Sequence, residues 1–177
     1  MNDRVQSYIR TIPDFPRPGI QFRDVTSLFV DREGLALVVD LVVKNYQGAA
    51  IDKVAAIEAR GFVVGGALAY ELGLGFVPIR KAGKLPGATI QRSYELEYGQ
   101  ATMEIHQDAI DAGDNVLLVD DLIATGGTAL AGLDLVRQLG GVVEHASFIV
   151  DLPDLGGAVK VEKQGVSVHS LCSYQGE

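Results

Sequence analysis

One cysteine in 177 residues leaves no partner for an internal disulfide, so Cys172 is expected to be a free thiol in a reducing compartment. Long apolar runs are missing as well. Asp40 and Lys44 break up the most apolar stretch around residues 35–43, well short of the ~20 residues a membrane-spanning helix needs. The first thirty residues carry charges and prolines where a signal peptide would be unbroken and apolar, and a cytoplasmic protein is expected. Positive charge is in deficit, with 15 Lys and Arg against 23 Asp and Glu and a formal net charge of -8. That balance argues against nonspecific binding to nucleic acid or to a membrane surface, both of which need clustered cations. Neither G-x-x-x-x-G-K-[ST] nor a strand-linked G-x-G-x-x-G occurs, which removes the usual triphosphate and dinucleotide loops. His106, His145 and His169 lack metal-ligand spacing, and no G-x-S-x-G or Cys–His arrangement suggests covalent catalysis.

Nearly half the residues are apolar, enough for one domain spanning residues 1–177 with a substantial core. Residues 3–12 read as a short amphipathic helix bearing Val5, Tyr8 and Ile9 and stopped by Pro13. Residues 32–46 read as a second helix, with Leu35, Val38, Val39, Val42 and Val43 at three- and four-residue spacing. Short apolar runs at 54–57, 76–79 and 116–119, with further ones at 147–150 and 166–171, suit strands covered on both faces. Helices are predicted over 61–72 and 128–139. This alternation predicts an α/β fold: a doubly wound, mainly parallel sheet flanked by helices, with ligands beyond the carboxyl ends of the strands. Residues 80–107, rich in charge, Gly, Tyr and Thr, break the alternation and read as a flexible lid hairpin outside the sheet.

The densest chemistry lies in VLLVDDLIATGGTAL, residues 116–130. Gly126 and Gly127 permit a tight loop whose amides converge on an anion, and Thr125 and Thr128 add hydroxyl donors. The following helix N-terminus contributes free N–H groups and partial positive charge. Directly before this phosphate cradle, Asp120 and Asp121 supply acceptors for a vicinal diol such as the ribose hydroxyls. Sugar acids beside a phosphate loop specify a sugar phosphate.

Two acids followed by a T-G-x-T loop resemble the signature of the type I phosphoribosyltransferases. Ala124 stands where many members carry a third acid. With FRDVTSLF (22–29), EARGF (58–62), RKAGKLPG (80–87) and YELEYG (94–99), it makes nearly the whole chain similar to the adenine-specific branch of that family. The resemblance implies Mg2+-dependent transfer from 5-phosphoribosyl 1-diphosphate (PRPP) to adenine, giving AMP and diphosphate in purine salvage. It places the ribose and 5′-phosphate on Asp120, Asp121, Ala124, Thr125, Gly126, Gly127 and Thr128. Diphosphate falls to the turn at Glu58, Ala59 and Arg60, with a strained or cis peptide at Glu58–Ala59 or Ala59–Arg60, and to the cations Arg80, Lys81 and Lys84.

Adenine falls to a small N-terminal hood, residues 11–30. There the main chain of Gln21 reads the purine edge, Phe22 and Leu152 stack on its two faces, and the Arg23 main chain lies nearby. Glu97, with Tyr98 beside it, is the expected catalytic pair in a lid that closes over the site, with Glu95 as the alternative proton donor. Mg2+ is expected mainly on substrate and water, with Asp120 and Asp121 behind them. A homodimer is also implied, with Arg80 a candidate for donation across it. Two rivals stay open on the sequence: transfer to another base, and a PRPP-sensing regulator without catalysis.

Overall fold

The computed structural model describes residues 3–95 and 99–176. Five parallel strands carry the fold: β3 (Lys53–Ile57), β4 (Gly75–Lys81), β7 (Asn115–Ile123), β8 (Val142–Asp151) and β9 (Ser167–Ser173). An antiparallel hairpin, β5 (Thr89–Glu95) and β6 (Gln100–His106), extends the same sheet, whose order is β5-β6-β4-β3-β7-β8-β9. The helices are α1 (Asp3–Gln6), α2 (Thr26–Val30), α3 (Arg32–Tyr46), α4 (Gly61–Leu72), α5 (Gly127–Gln138) and α6 (Gly157–Glu162). A separate two-stranded sheet, β1 (Arg10–Pro13) with β2 (Gln21–Asp24), forms the hood.

The apolar runs are continuous because both faces of the central strands are covered. Side chains alternate across a strand, and so Val54, Ala56, Leu117 and Val119 pack with Val38, Val42, Val64 and Leu68 of α3 and α4. Ala55, Ile57, Val116 and Leu118 face the other way, onto Ala131 and Leu135 of α5 and onto Met103 and Ile105 of β6. Helix α3 starts where Asp31 caps it, its carboxylate accepting from the Glu33 and Gly34 amides at 2.9 Å.

Two local expectations are corrected. The helix expected over 3–12 ends at Gln6, and residues 10–13 form a strand instead. Val5 and Ile9 are still buried. Beyond them, ladder bonds to β2, an Arg10–Asp24 ion pair at 2.6 Å and the Ser27 hydroxyl accepting from the Arg10 amide outweigh continued helix. Of residues 80–107, expected to leave the sheet, 80–81, 89–95 and 100–106 are strands of it. Arg80 and Lys81 pair with Glu104 and Met103, and β6 buries Met103 and Ile105 in the core through its period-two alternation. The strand β7 also runs past the predicted 116–119 to Ile123, which puts both acids on the strand itself. Helix α6 and the 3-10 turn before it (Pro153–Leu155) carry no signal that the sequence reading used.

Helix α4 lies unusually near β3. A Cβ at Gly65 would overlap the Cβ of Ala56. Ala in place of Gly inside a helix normally gains ~0.5–1 kcal/mol, so the sign of Gly65→Ala tests the contact. We expect a net loss of about 1–3 kcal/mol in urea unfolding, largely recovered in Gly65→Ala/Ala56→Gly. Additive single changes would contradict the account.

Candidate active site

The strand order reverses direction between β3 and β7: the chain leaves β3 for β4 on one side and β7 for β8 on the other. A crevice opens at such a switch point, beyond the carboxyl ends of both strands. It holds a cavity of about 450 Å³ lined by Glu58, Ala59, Arg60, Lys81, Tyr94, Asp120, Asp121 and residues 122–129. The turn after β3 and the turn after β7 therefore face one another.

Asp121 is 4% exposed, and its Oδ2 lies 2.6 Å from Arg60 Nε across that crevice. Asp120 Oδ1 accepts the Asp121 amide at 2.8 Å. Burial, reinforced by the neighbouring Asp121 charge, pushes the Asp120 carboxyl well above the usual aspartate range. Burial also raises Asp121, with Arg60 opposing it. The approach of α4 to this pair depends on Gly61, where a Cβ would stand 2.7 Å from Asp120 Oδ1. The Glu58–Ala59 peptide in the facing turn is cis.

After Ile123 the chain bends through residues 124–126 and enters α5. Gly126, the residue before the helix, has φ +83 and no side-chain cap. The first amides of α5 thus have no side-chain acceptor and open into the cavity. Helix α6 supports the bend from behind: the Gly157 amide donates to Ala124 O at 3.0 Å, and Lys160 Nζ donates to Thr125 O at 2.9 Å. A Cβ at Gly126 would come within 2.9 Å of Gly157 Cα, so the two glycines need each other.

The basic segment is held in place by two carboxylates. Arg80 Nε pairs with Glu58 Oε2 at 2.6 Å and its guanidinium donates to Lys84 O at 3.0 Å. Glu104, 2% exposed, accepts the Lys84 and Leu85 amides at 2.8 Å and Gln91 Nε2 at 3.2 Å. Burial alone would raise its pKa, but backbone donors from residues 83–85 outweigh it and hold the carboxyl below its ordinary value. Lys81 lines the cavity, whereas Arg80 is committed to Glu58 and Lys84 is exposed outside the lining.

Beside the crevice is a second, largely apolar slot of about 160 Å³, walled by Ile20, Gln21, Phe22 and Arg23 from the hood and by Arg60, Leu122, Leu152 and Leu155. Phe22 is held edge-on by Phe15 at 5.1 Å, and the Arg60 guanidinium sits 5.7 Å from its ring centroid. Glu95 is exposed and borders a neighbouring groove. Glu97 and Tyr98 lie outside the described residues.

A family profile described as "Phosphoribosyl transferase domain" matches residues 29–167. An adenine phosphoribosyltransferase of Cereibacter sphaeroides is 58% identical over 175 residues, covering 99% of this chain and 98% of that one. Among solved structures, the Thermoanaerobacter pseudethanolicus adenine phosphoribosyltransferase superposes with a TM-score of 0.91 at 44% identity, over 97% and 99% of the two chains. The Saccharomyces cerevisiae enzyme, solved with an imino-altritol bisphosphate and adenine, does so at 0.89 and 38%, over 96% and 97%. The chain belongs to the phosphoribosyltransferase family, among the adenine phosphoribosyltransferases.

One cavity here brings together the acids Asp120 and Asp121, the first residues of α5 and the cations Arg60 and Lys81. Sequence reasoning missed Tyr94, Glu104, Gly157, Lys160, Leu122 and Leu155. The Gly156-Gly157 doublet was the one usable signal, since a glycine pair before a helix marks close backbone approach.

The raised Asp120 carboxyl means that the folded protein holds this proton to higher pH than the unfolded chain. Ionised Asp120 therefore costs stability, and the cost appears as pH rises from the ordinary aspartate value of about 3.9 toward the raised one. Asp120→Asn should raise the Tm of ligand-free protein at pH 7 and lose that advantage near pH 3.5, while weakening binding of the ribosyl donor. An unchanged Tm at pH 7 would contradict the burial argument. Gly157→Ala, which forces its Cβ into Ala124 O, should raise KM for the donor at least ten-fold in initial-rate assays.

Proposed function

We propose that this chain transfers the 5-phosphoribosyl group of PRPP to N9 of adenine, giving AMP and diphosphate in purine salvage. The observation that carries the reading is the largely apolar slot that shares Arg60 and Leu122 with the cavity proposed for phosphate. It is walled by the segment expected to read a purine and by Leu152.

In this reading, residues 124–128 take the 5′-phosphate on backbone amides and the two threonine hydroxyls, and Asp120 and Asp121 accept from the ribose hydroxyls. Glu58, Ala59 and Arg60 meet the diphosphate from the opposite turn, Lys81 adds charge to it, and Arg80 and Lys84 hold the basic segment in place. Adenine slides between Phe22 and Leu152. Its N1 acceptor and 6-amino donor match one N–H and one C=O of Gln21, a pairing that a 6-oxopurine inverts, and the Arg23 main chain completes that wall.

Ala124 offers no proton acceptor, so the group that exchanges a proton with the base comes from elsewhere. We assign it to Glu97, supported by Tyr98, in the segment joining β5 to β6. The end of β5 packs close to α5: a Cβ at Gly127 would lie 3.1 Å from Tyr94 Cδ2. Closure of that segment would exclude water from the reacting carbon.

Among the described residues no three His, Cys, Asp or Glu side chains converge as a metal cage. The acids present are two neighbouring carboxyls that burial raises, which suits a Mg2+ held mainly by substrate oxygens and water with Asp120 and Asp121 behind them. When bound, the ion would neutralise charge developing on the departing diphosphate. No helix among the described residues is long and apolar enough to cross a membrane. We place the chain in the cytoplasm as a homodimer acting on small molecules, without nucleic-acid or membrane partners.

Purified protein given PRPP with adenine, hypoxanthine, guanine or orotate should consume adenine alone at an appreciable rate. Preference for a 6-oxopurine would overturn the assignment. Glu97→Gln should lower kcat by about 10²-fold or more, the contribution of a positioned proton donor, with little change in KM for PRPP.

A further inference from the structure

The slot has two walls of different origin. Leu152 and Leu155, just before and in the 3-10 turn, follow β8 of the main sheet, whereas Phe22 sits on β2, whose ladder bonds run only to β1. Among the described residues no ladder joins hood to sheet. The bonds of Asp24 to Arg10 and Thr26 stay within the hood region.

The chain's last described residues bridge that gap. After β9, the Tyr174 amide donates to Asp151 O at 3.1 Å, next to Leu152, and the Gly176 amide donates to Asp154 Oδ2 at 2.7 Å on the 3-10 turn. From this position the Tyr174 ring lies 4.3 Å from the Arg23 guanidinium carbon. Arg23 also donates to Thr11 Oγ1 at 2.7 Å, which extends the connection to β1. Arg23 Nε is buried with no hydrogen-bond partner among the described residues, so the ring face is a main source of compensation for that charge. The ring and Leu152 both pack against the same core cluster.

We propose that Tyr174 is a positioning residue for the purine. Its ring clamps Arg23 and thereby fixes the distance between the Phe22 wall and the Leu152 wall. The inference rests on the assignment of the slot to adenine. Tyr174 touches no substrate in this account and acts through Arg23 alone. Its hydroxyl, which reaches Gln6 O only at 3.4 Å, is secondary, so Phe should substitute for it.

Steady-state kinetics with adenine and PRPP varied separately test this. Tyr174→Ala should raise KM for adenine roughly three- to thirty-fold, the range of a partly buried cation–π contact, while leaving KM for PRPP and kcat at saturating adenine within two-fold. Tyr174→Phe should match the parent. Hydrogen exchange of the Gln21–Asp24 amides, measured without substrate, should quicken in Tyr174→Ala and not in Tyr174→Phe. An unchanged KM for adenine, or parallel rises in both KM values, overturns the clamp. If the parent protein does not use adenine, the functional reading fails instead, and amide exchange still decides whether the clamp exists.

Discussion

Two adjacent carboxylates drawn out of water at the end of one strand are the constraint around which this molecule is arranged. Burial raises both carboxyls, and the charge of Asp121 raises Asp120 further. Arg60 answers part of that cost across the crevice. It can do so because β3 and β7 are parallel neighbours, which brings the turn after one strand opposite the end of the other. Gly61 completes the arrangement by letting α4 start against Asp120. In the proposed reading the pair suits a diol, which donates two hydrogen bonds to two acceptors held ready.

Past the two acids, recognition passes to the backbone. The end of the cavity proposed for phosphate is made of a bend, a helix N-terminus and two glycines rather than lysines. Such a site depends on where the main chain runs, which explains why a second layer, α6, is spent on fixing it. The Gly157 amide and the Lys160 ammonium take up the carbonyls of Ala124 and Thr125, leaving the amides to face the cavity. The same logic holds across the crevice, where Glu104 collects amides from the basic segment and lets Lys81 project.

The central strands and long helices were legible because their burial is two-sided or one-sided over many residues, which leaves a clear period in the sequence. Residues 54–57 and 61–72 read nearly as they fold. Residues 3–12 misled because three apolar side chains fit one helical turn as well as three, and the strand that replaces it is set by bonds to residues more than seven positions away. The hairpin misled in the opposite sense: its charge and glycine content resemble a loop, while Met103 and Ile105 carry the burial. Within the site, residues that line the cavity, such as Arg60 and Asp121, were readable by chemical type. Those that hold other residues, such as Glu104 and Gly157, were not, because a supporting role leaves no motif.

The donor and acceptor ends of the site are built to different standards. The cavity proposed for phosphate and ribose hangs on strands of the seven-stranded sheet and the helices that follow them, with hydrogen bonds that fix its turns. The slot for the base has one such wall, Leu152, and one wall on a small sheet joined to the rest by side chains and by the chain's last described residues. Discrimination between purines by a single N–H and C=O pair tolerates little error in distance, since a misplaced hydrogen bond loses most of its worth. A hood free to shift would therefore bind flat rings without choosing among them. In the proposed reading, selectivity for the base thus depends less on the residues that touch it than on whatever holds the hood at one distance from β8.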